Sequence, residues 1–257
     1  MALGNVLGSN VCNLCLVLGV AALVWPLSIQ RQVIRREMPI LLVASIVFAF
    51  FLRDGFISQM EAALLAAGII LYVVTSLIQA KKDPNADVSD DVPPELIEAA
   101  KSGGTKRMLW NLGLVIVGIL ILVMGANRMV HGGANLARAF GVSEAVIGLT
   151  LFAFGTSLPE LATSVVAALK KQGDIIVGNA VGSCIFNILA VVGFTGLIAP
   201  LQATGITNID VIVMLVVSFL ILPLMWHRLN LNRWEGGLLF LAYLGYVAWL
   251  IVSEFSV

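Results

Sequence analysis

Apolar residues run along this chain in long blocks, not in the alternating or three-to-four-residue rhythms of a soluble fold. Eight blocks stand out, at roughly 4–28, 38–53, 58–79, 108–138, 142–169, 174–199, 207–227 and 233–253. Each reads as a membrane-spanning helix, because a helix crosses the hydrocarbon of a bilayer in about 20 residues. The 108–138 block is longer than the bilayer requires and ends in polar, glycine-rich sequence (Gly132, Gly133, Asn135, Arg138), which predicts a strongly tilted helix. Gly, Pro, Ser and Asn interrupt the 142–169 and 174–199 blocks, as expected of broken helices at a binding site. The long polar stretch 81–107 mixes both signs of charge with Pro84, Pro93, Pro94, Gly103 and Gly104. It reads as a solvated linker, with a short helix at 94–101, and it divides the chain into segments 1–80 and 108–257.

Composition fits the same solvent. With 60% hydrophobic residues, 12% charged and a mean hydropathy of +1.01, too little polar surface exists to cover a soluble globule. The chain is therefore read as an all-α polytopic membrane protein. Its 15 Lys and Arg residues divide unevenly between alternate loops. One set holds Arg31, Arg35, Arg36, Lys81, Lys82, Lys101, Lys106, Arg107, Lys170, Lys171, Arg228 and Arg233; the other holds only Arg53, Arg128 and Arg138. Basic loops stay in the cytoplasm, so 81–107 is expected there and both chain ends outside, in a plasma or bacterial inner membrane.

Nothing in the sequence suggests an enzyme or a nucleic-acid binder. Neither GxxxxGK[ST] nor HExxH occurs, and His131 and His227 near span ends form no catalytic constellation. Cys12 and Cys15 have CxxC spacing but no partner pair, so they and Cys184 read as small apolar packing. No cofactor is expected.

Comparison of the chain with itself at an offset of 174 exposes a repeat. Residues 4–27, GNVLGSNVCNLCLVLGVAALVWPL, align without gaps on 178–201, GNAVGSCIFNILAVVGFTGLIAPL. The matches include Gly4/Gly178, Asn5/Asn179, Gly8/Gly182, Ser9/Ser183, Asn13/Asn187 and Pro26/Pro200. Glu61/Glu235, Leu64/Leu238, Leu65/Leu239 and Tyr72/Tyr246 fall on the same offset. Four helices separate the members of each pair, so the repeats cross the membrane in opposite directions. Inverted repeats of this kind place substrate sites near the midplane at the repeat interface. Residues 108–173 have no counterpart at this offset. The reading is therefore a complete five-helix repeat preceded by three helices of another, with two further helices expected upstream of Met1.

Within the unmatched stretch, residues 155–160 read Gly-Thr-Ser-Leu-Pro-Glu and place the carboxylate of Glu160 at membrane depth. A charged side chain there is costly and usually lines a pathway or binds something. Pro159 removes a helical donor and Gly155 lets the backbone bend, so carbonyls near Gly155 are expected to be free. Free carbonyls, the hydroxyls of Thr156 and Ser157 and one carboxylate suit a hard cation such as Na⁺ or Ca²⁺. Ser9 and Asn13, like Ser183 and Asn187, are four residues apart and share a helical face. Gly8 and Gly182 are expected to let helices approach closely. Thr150, Thr163 and Ser164 are read as bonding to their own backbone, and Glu144 and Asp210 as helix caps.

GTSLPE, followed by GN-x-x-GS-x-x-x-N in an inverted duplication, resembles the α-repeats of the cation/calcium exchanger superfamily, most of all its prokaryotic sodium/calcium exchanger branch. The resemblance implies a ten-helix fold of which this chain supplies helices three to ten, with 81–107 as the central cytoplasmic loop. It also implies that Glu160, Thr156, Ser157 and the carbonyl of Ala153 coordinate cations, joined by Ser183 and Asn187 and by Ser9 and Asn13. The expected activity is exchange of Ca²⁺ for Na⁺ by alternating access. The alternatives are Ca²⁺/H⁺ exchange with Glu160 as proton carrier, and a fragment or subunit that needs the missing helices. Asn stands at both 13 and 187, where many exchangers carry an Asp at one, so weaker Ca²⁺ binding is expected.

Overall fold

The computed structural model describes residues 2–82 and 105–255; the short helix expected at 94–101 lies outside them. Among the described residues eight main helices follow one another: α1 (Ala2–Val24), α2 (Met38–Phe51), α3 (Gln59–Lys82), α4 (Thr105–Ala139), α5 (Glu144–Leu169), α6 (Gly173–Ile198), α7 (Asn208–Arg228) and α8 (Arg233–Phe255). Seven of them are long and apolar enough to cross a membrane unaided. The exception is α2, whose apolar part has only 14 residues and is preceded by a π-helical turn, Val33–Glu37, that carries Arg35, Arg36 and Glu37. Charge at its entry shortens the hydrophobic stretch, and packing against α7 and α6 compensates.

The repeat is visible as exchanged contacts. The second half of α1 packs on α8, and the second half of α6 packs on α3. A Cβ added at Gly19 would lie 2.9 Å from the Gly236 carbonyl oxygen and the Phe240 nitrogen. One at Gly193 would lie 2.6 Å from the Ala66 nitrogen. These residues are mates at the offset of 174, so the same close crossing occurs twice, each time between one repeat and the other.

Two two-residue sheets continue the exchange beyond the helices. Strand β1 (Leu27–Ser28) pairs antiparallel with β4 (Asn230–Leu231), and β2 (Phe56–Ile57) with β3 (Leu201–Gln202). The register Leu27↔Leu231 becomes Leu201↔Ile57 under the offset. The helices after β2 and β4 begin alike: Glu61 accepts from the Ser58 N–H and Glu235 from the Asn232 N–H, each at 2.8 Å. These carboxylates satisfy donors that a helix start leaves free.

The loops gather in two sets at opposite ends, as the alternating basic pattern requires. At one end Lys171 stands 4.4 Å from the centre of the Trp25 ring, Ser28 donates to Asp174 and Arg233 donates to the Val24 carbonyl. At the other end Ala203 N–H donates to the Gly55 carbonyl, and Glu254 accepts from Ser143 N–H and Oγ. Helix α1 is enclosed along nearly its whole length, whereas α4 touches the bundle mainly through Val130 and Ala134.

Candidate functional site

Three mutually packed helices, α1, α5 and α6, each widen into a π-helical turn, at Cys12–Val17, Gly148–Phe152 and Asn187–Val192. Such turns shift the hydrogen-bond ladder by one residue and often mark functional positions. The turns in α1 and α6 occupy nearly equivalent places in the two repeats. In α5 the irregularity precedes the motif: Ala153–Leu169 stays α-helical through Pro159, contrary to the bend expected at Gly155. Gly155 serves packing instead, because an added Cβ there would lie 1.9 Å from Val130 Cγ2 of α4.

Close approach of α1 to α5 brings the first polar cluster together. A Cβ on Gly8 would sit 2.2 Å from the Leu149 carbonyl oxygen and 2.6 Å from Ala153 Cβ, so only glycine permits this crossing. Ser9 Oγ then lies 2.9 Å from Thr156 Oγ1 and donates to the Ala153 carbonyl oxygen at 3.3 Å. Asn5 Oδ1 accepts from Thr156 Oγ1 at 3.1 Å and from Ser9 Oγ at 3.4 Å. Gly182, the repeat mate of Gly8, does not fill the same role: nothing lies within 4 Å of a Cβ placed there. It borders a cavity of about 320 Å³ that is also lined by Glu160, Asn179, Ser183 and Asn187.

The second cluster faces that cavity. Ser183 Oγ donates to Glu160 Oε1 at 3.3 Å, and Asn187 Nδ2 donates to Asn10 Oδ1 at 3.1 Å. Glu160 Oε2, Ser157 Oγ and Asn13 Oδ1 are buried with no hydrogen-bond partner among the described residues. Buried polar atoms are nearly always satisfied, so three unpartnered oxygens on the adjacent helices α1 and α5 single this region out. All eight residues named from the sequence thus fall on α1, α5 and α6: Ser9, Ala153 and Thr156 share one hydrogen-bonded group, Glu160, Ser183 and Asn187 line the cavity, and Asn13 and Ser157 join neither through a hydrogen bond.

Three further residues belong with them. Asn5 and Asn179 are mates in the repeat, one turn before Ser9 and Ser183, and that pairing is the signal that could have found them. Asn10 is fully buried, and its mate is Cys184, whose thiol donates to the Asn10 carbonyl oxygen at 3.8 Å. Thr150 and Thr163 bond to their own backbone as expected, at 2.6 and 2.9 Å, but buried Ser164 finds no partner among the described residues. Asp210 is a cap, closing a box with Thr207 and also accepting from Tyr246 at 3.0 Å. Glu144, at the start of α5, is paired with Arg138. Among the described residues no group of three or more His, Cys, Asp or Glu side chains could hold a metal ion.

The family described as sodium/calcium exchanger protein matches residues 1–78 and 110–252. The inner membrane protein YrbG of Escherichia coli is 37% identical over 257 residues, covering 97% of this chain and 78% of that protein. The sodium/calcium exchanger MaX1 of Methanosarcina acetivorans is 29% identical, over 98% of this chain and 79% of its own length. Among solved structures, the sodium-calcium exchanger NCX_Mj soaked with Na⁺ and Sr²⁺ superposes with a TM-score of 0.73 at 30% identity, covering 96% of this chain and 76% of that one.

Proposed function

This chain belongs to the sodium/calcium exchanger protein family, a family of membrane transporters and not enzymes, and we propose that it moves Ca²⁺ against Na⁺ by alternating access. The observation that carries this reading is the set of unfilled buried oxygens, Asn13 Oδ1 on α1 and Ser157 Oγ and Glu160 Oε2 on α5, two packed helices that each contain a π-helical turn. Glu160 supplies charge, the hydroxyls and amide oxygens supply neutral donors, and the carbonyl of Ala153 completes a ligand set suited to hard cations. With a single carboxylate among these residues, divalent binding is weak enough for release, and Na⁺ can compete. The ion gradient and membrane potential provide the energy. Ser183 bonded to one oxygen of Glu160, with the other unpaired, also suits a carboxyl that carries a proton, so H⁺ coupling is the second reading. The basic end of the bundle is placed in the cytoplasm, with 81–107 as its loop.

Inside-out vesicles from cells making the protein, loaded with Na⁺ and diluted into Na⁺-free medium, are expected to take up ⁴⁵Ca²⁺. Uptake driven by a pH gradient alone would transfer the assignment to proton coupling, and uptake indifferent to both gradients would overturn antiport. In the same assay Glu160→Gln keeps the size of the side chain and removes its charge. It is expected to lower uptake more than about tenfold at unchanged membrane abundance, the usual scale for loss of a cation-site group.

A further inference from the structure

At the basic end of the bundle, away from the cation site, a groove of about 220 Å³ opens between the entry to α2 and the end of α7. Arg31, Ile34, Arg35, Trp226 and Leu229 line it. Arg31 and Arg35 sit one turn apart on the same strip of helix and are both exposed. Among the described residues neither guanidinium has an ion pair or hydrogen bond, and no carboxylate lines the groove. Trp226, also exposed, stands where α7 leaves the bilayer, the depth at which Trp side chains settle between head groups and hydrocarbon. The backbone beneath is held in place, because Ile29 N–H donates to the Leu229 carbonyl and β1 pairs with β4 alongside.

We propose that this groove binds the phosphate of an anionic phospholipid head group. Two guanidiniums fork onto phosphate oxygens, a match that Arg makes better than Lys. Ile34, Leu229 and the Trp226 ring offer the apolar wall that a free anion would not need and an acyl-glycerol backbone would. Basic pockets between membrane helices at the interface select such lipids. The site is independent of which cations the protein carries.

The test is native mass spectrometry of the full chain released from nanodiscs that hold phosphatidylglycerol and phosphatidylcholine in equal amounts. Wild type is expected to retain phosphatidylglycerol preferentially. Each Arg near an anionic surface contributes roughly fivefold, so Arg31→Gln with Arg35→Gln lowers the preference about thirtyfold, and Arg35→Gln alone about fivefold. Arg53→Gln at the opposite end leaves it unchanged. Equal retention of the two lipids, or a preference that survives in the double variant, overturns the proposal. Displacement of phosphatidylglycerol by millimolar inorganic phosphate would assign the groove to the free anion and overturn the lipid assignment.

Discussion

At the scale of single residues, Asn10 controls how Asn187 is presented to the cavity. Its amide oxygen accepts from Asn187 Nδ2 at 3.1 Å in a fully buried position. Asn10→Ala removes that acceptor from a half-buried donor, a loss of about 1 kcal/mol. A lowered unfolding midpoint in detergent is the expected outcome; an unchanged midpoint in Asn10→Ala would remove Asn10 from the site. Glu160 was legible in the sequence because a carboxylate beside a proline is conspicuous in an apolar run. Asn10 was not, because its repeat mate is Cys184 and a match-seeking comparison passes over unlike pairs. The orientation of each oxygen was also hidden, since it depends on how closely α1 approaches α5.

At the scale of helices, that approach rests on Gly8. A methyl group there meets the Leu149 backbone oxygen at 2.2 Å, and backbone cannot swing aside as a side chain can. Overpacking of this kind costs about 1–3 kcal/mol and would draw Ser9 away from Thr156. Gly8→Ala is therefore expected to reduce both the fraction surviving gel filtration in detergent and ⁴⁵Ca²⁺ uptake. Gly245→Ala, which meets open space, should leave both intact. Equal behaviour of the two variants would show that the crossing tolerates a wider gap. The span boundaries read from hydropathy agree with the helices to within a few residues in most cases. Helix interiors were less legible: π-helical turns have no strong residue signature, and Pro159, the loudest breaker in the chain, lies within a continuous helix.

At the scale of the whole molecule, the offset of 174 proved the most informative line in the sequence, because it anticipates contacts as well as helices. It pairs Gly19 with Gly193, and both crossings are tight; it relates β1 to β3 and β2 to β4, and the sheets exchange accordingly. The sidedness proposed for the bundle rests on basic residues alone and is open to direct measurement. Ser28 and Gln202 are exposed at opposite ends, and the native Cys12, Cys15 and Cys184 are buried. A membrane-impermeant maleimide is expected to label Gln202→Cys in intact cells and Ser28→Cys only after lysis; the reverse pattern would invert the proposed orientation. The exchanged sheets also impose a schedule on biogenesis. Leu27 emerges from the ribosome long before its partner Leu231 and before the helix that covers the second half of α1. Until α5 and α6 follow, Asn5, Ser9 and Asn10 wait in the membrane without their partners Thr156 and Asn187. A nascent chain halted before α8 therefore reaches the quality-control machinery with the second half of α1 still uncovered.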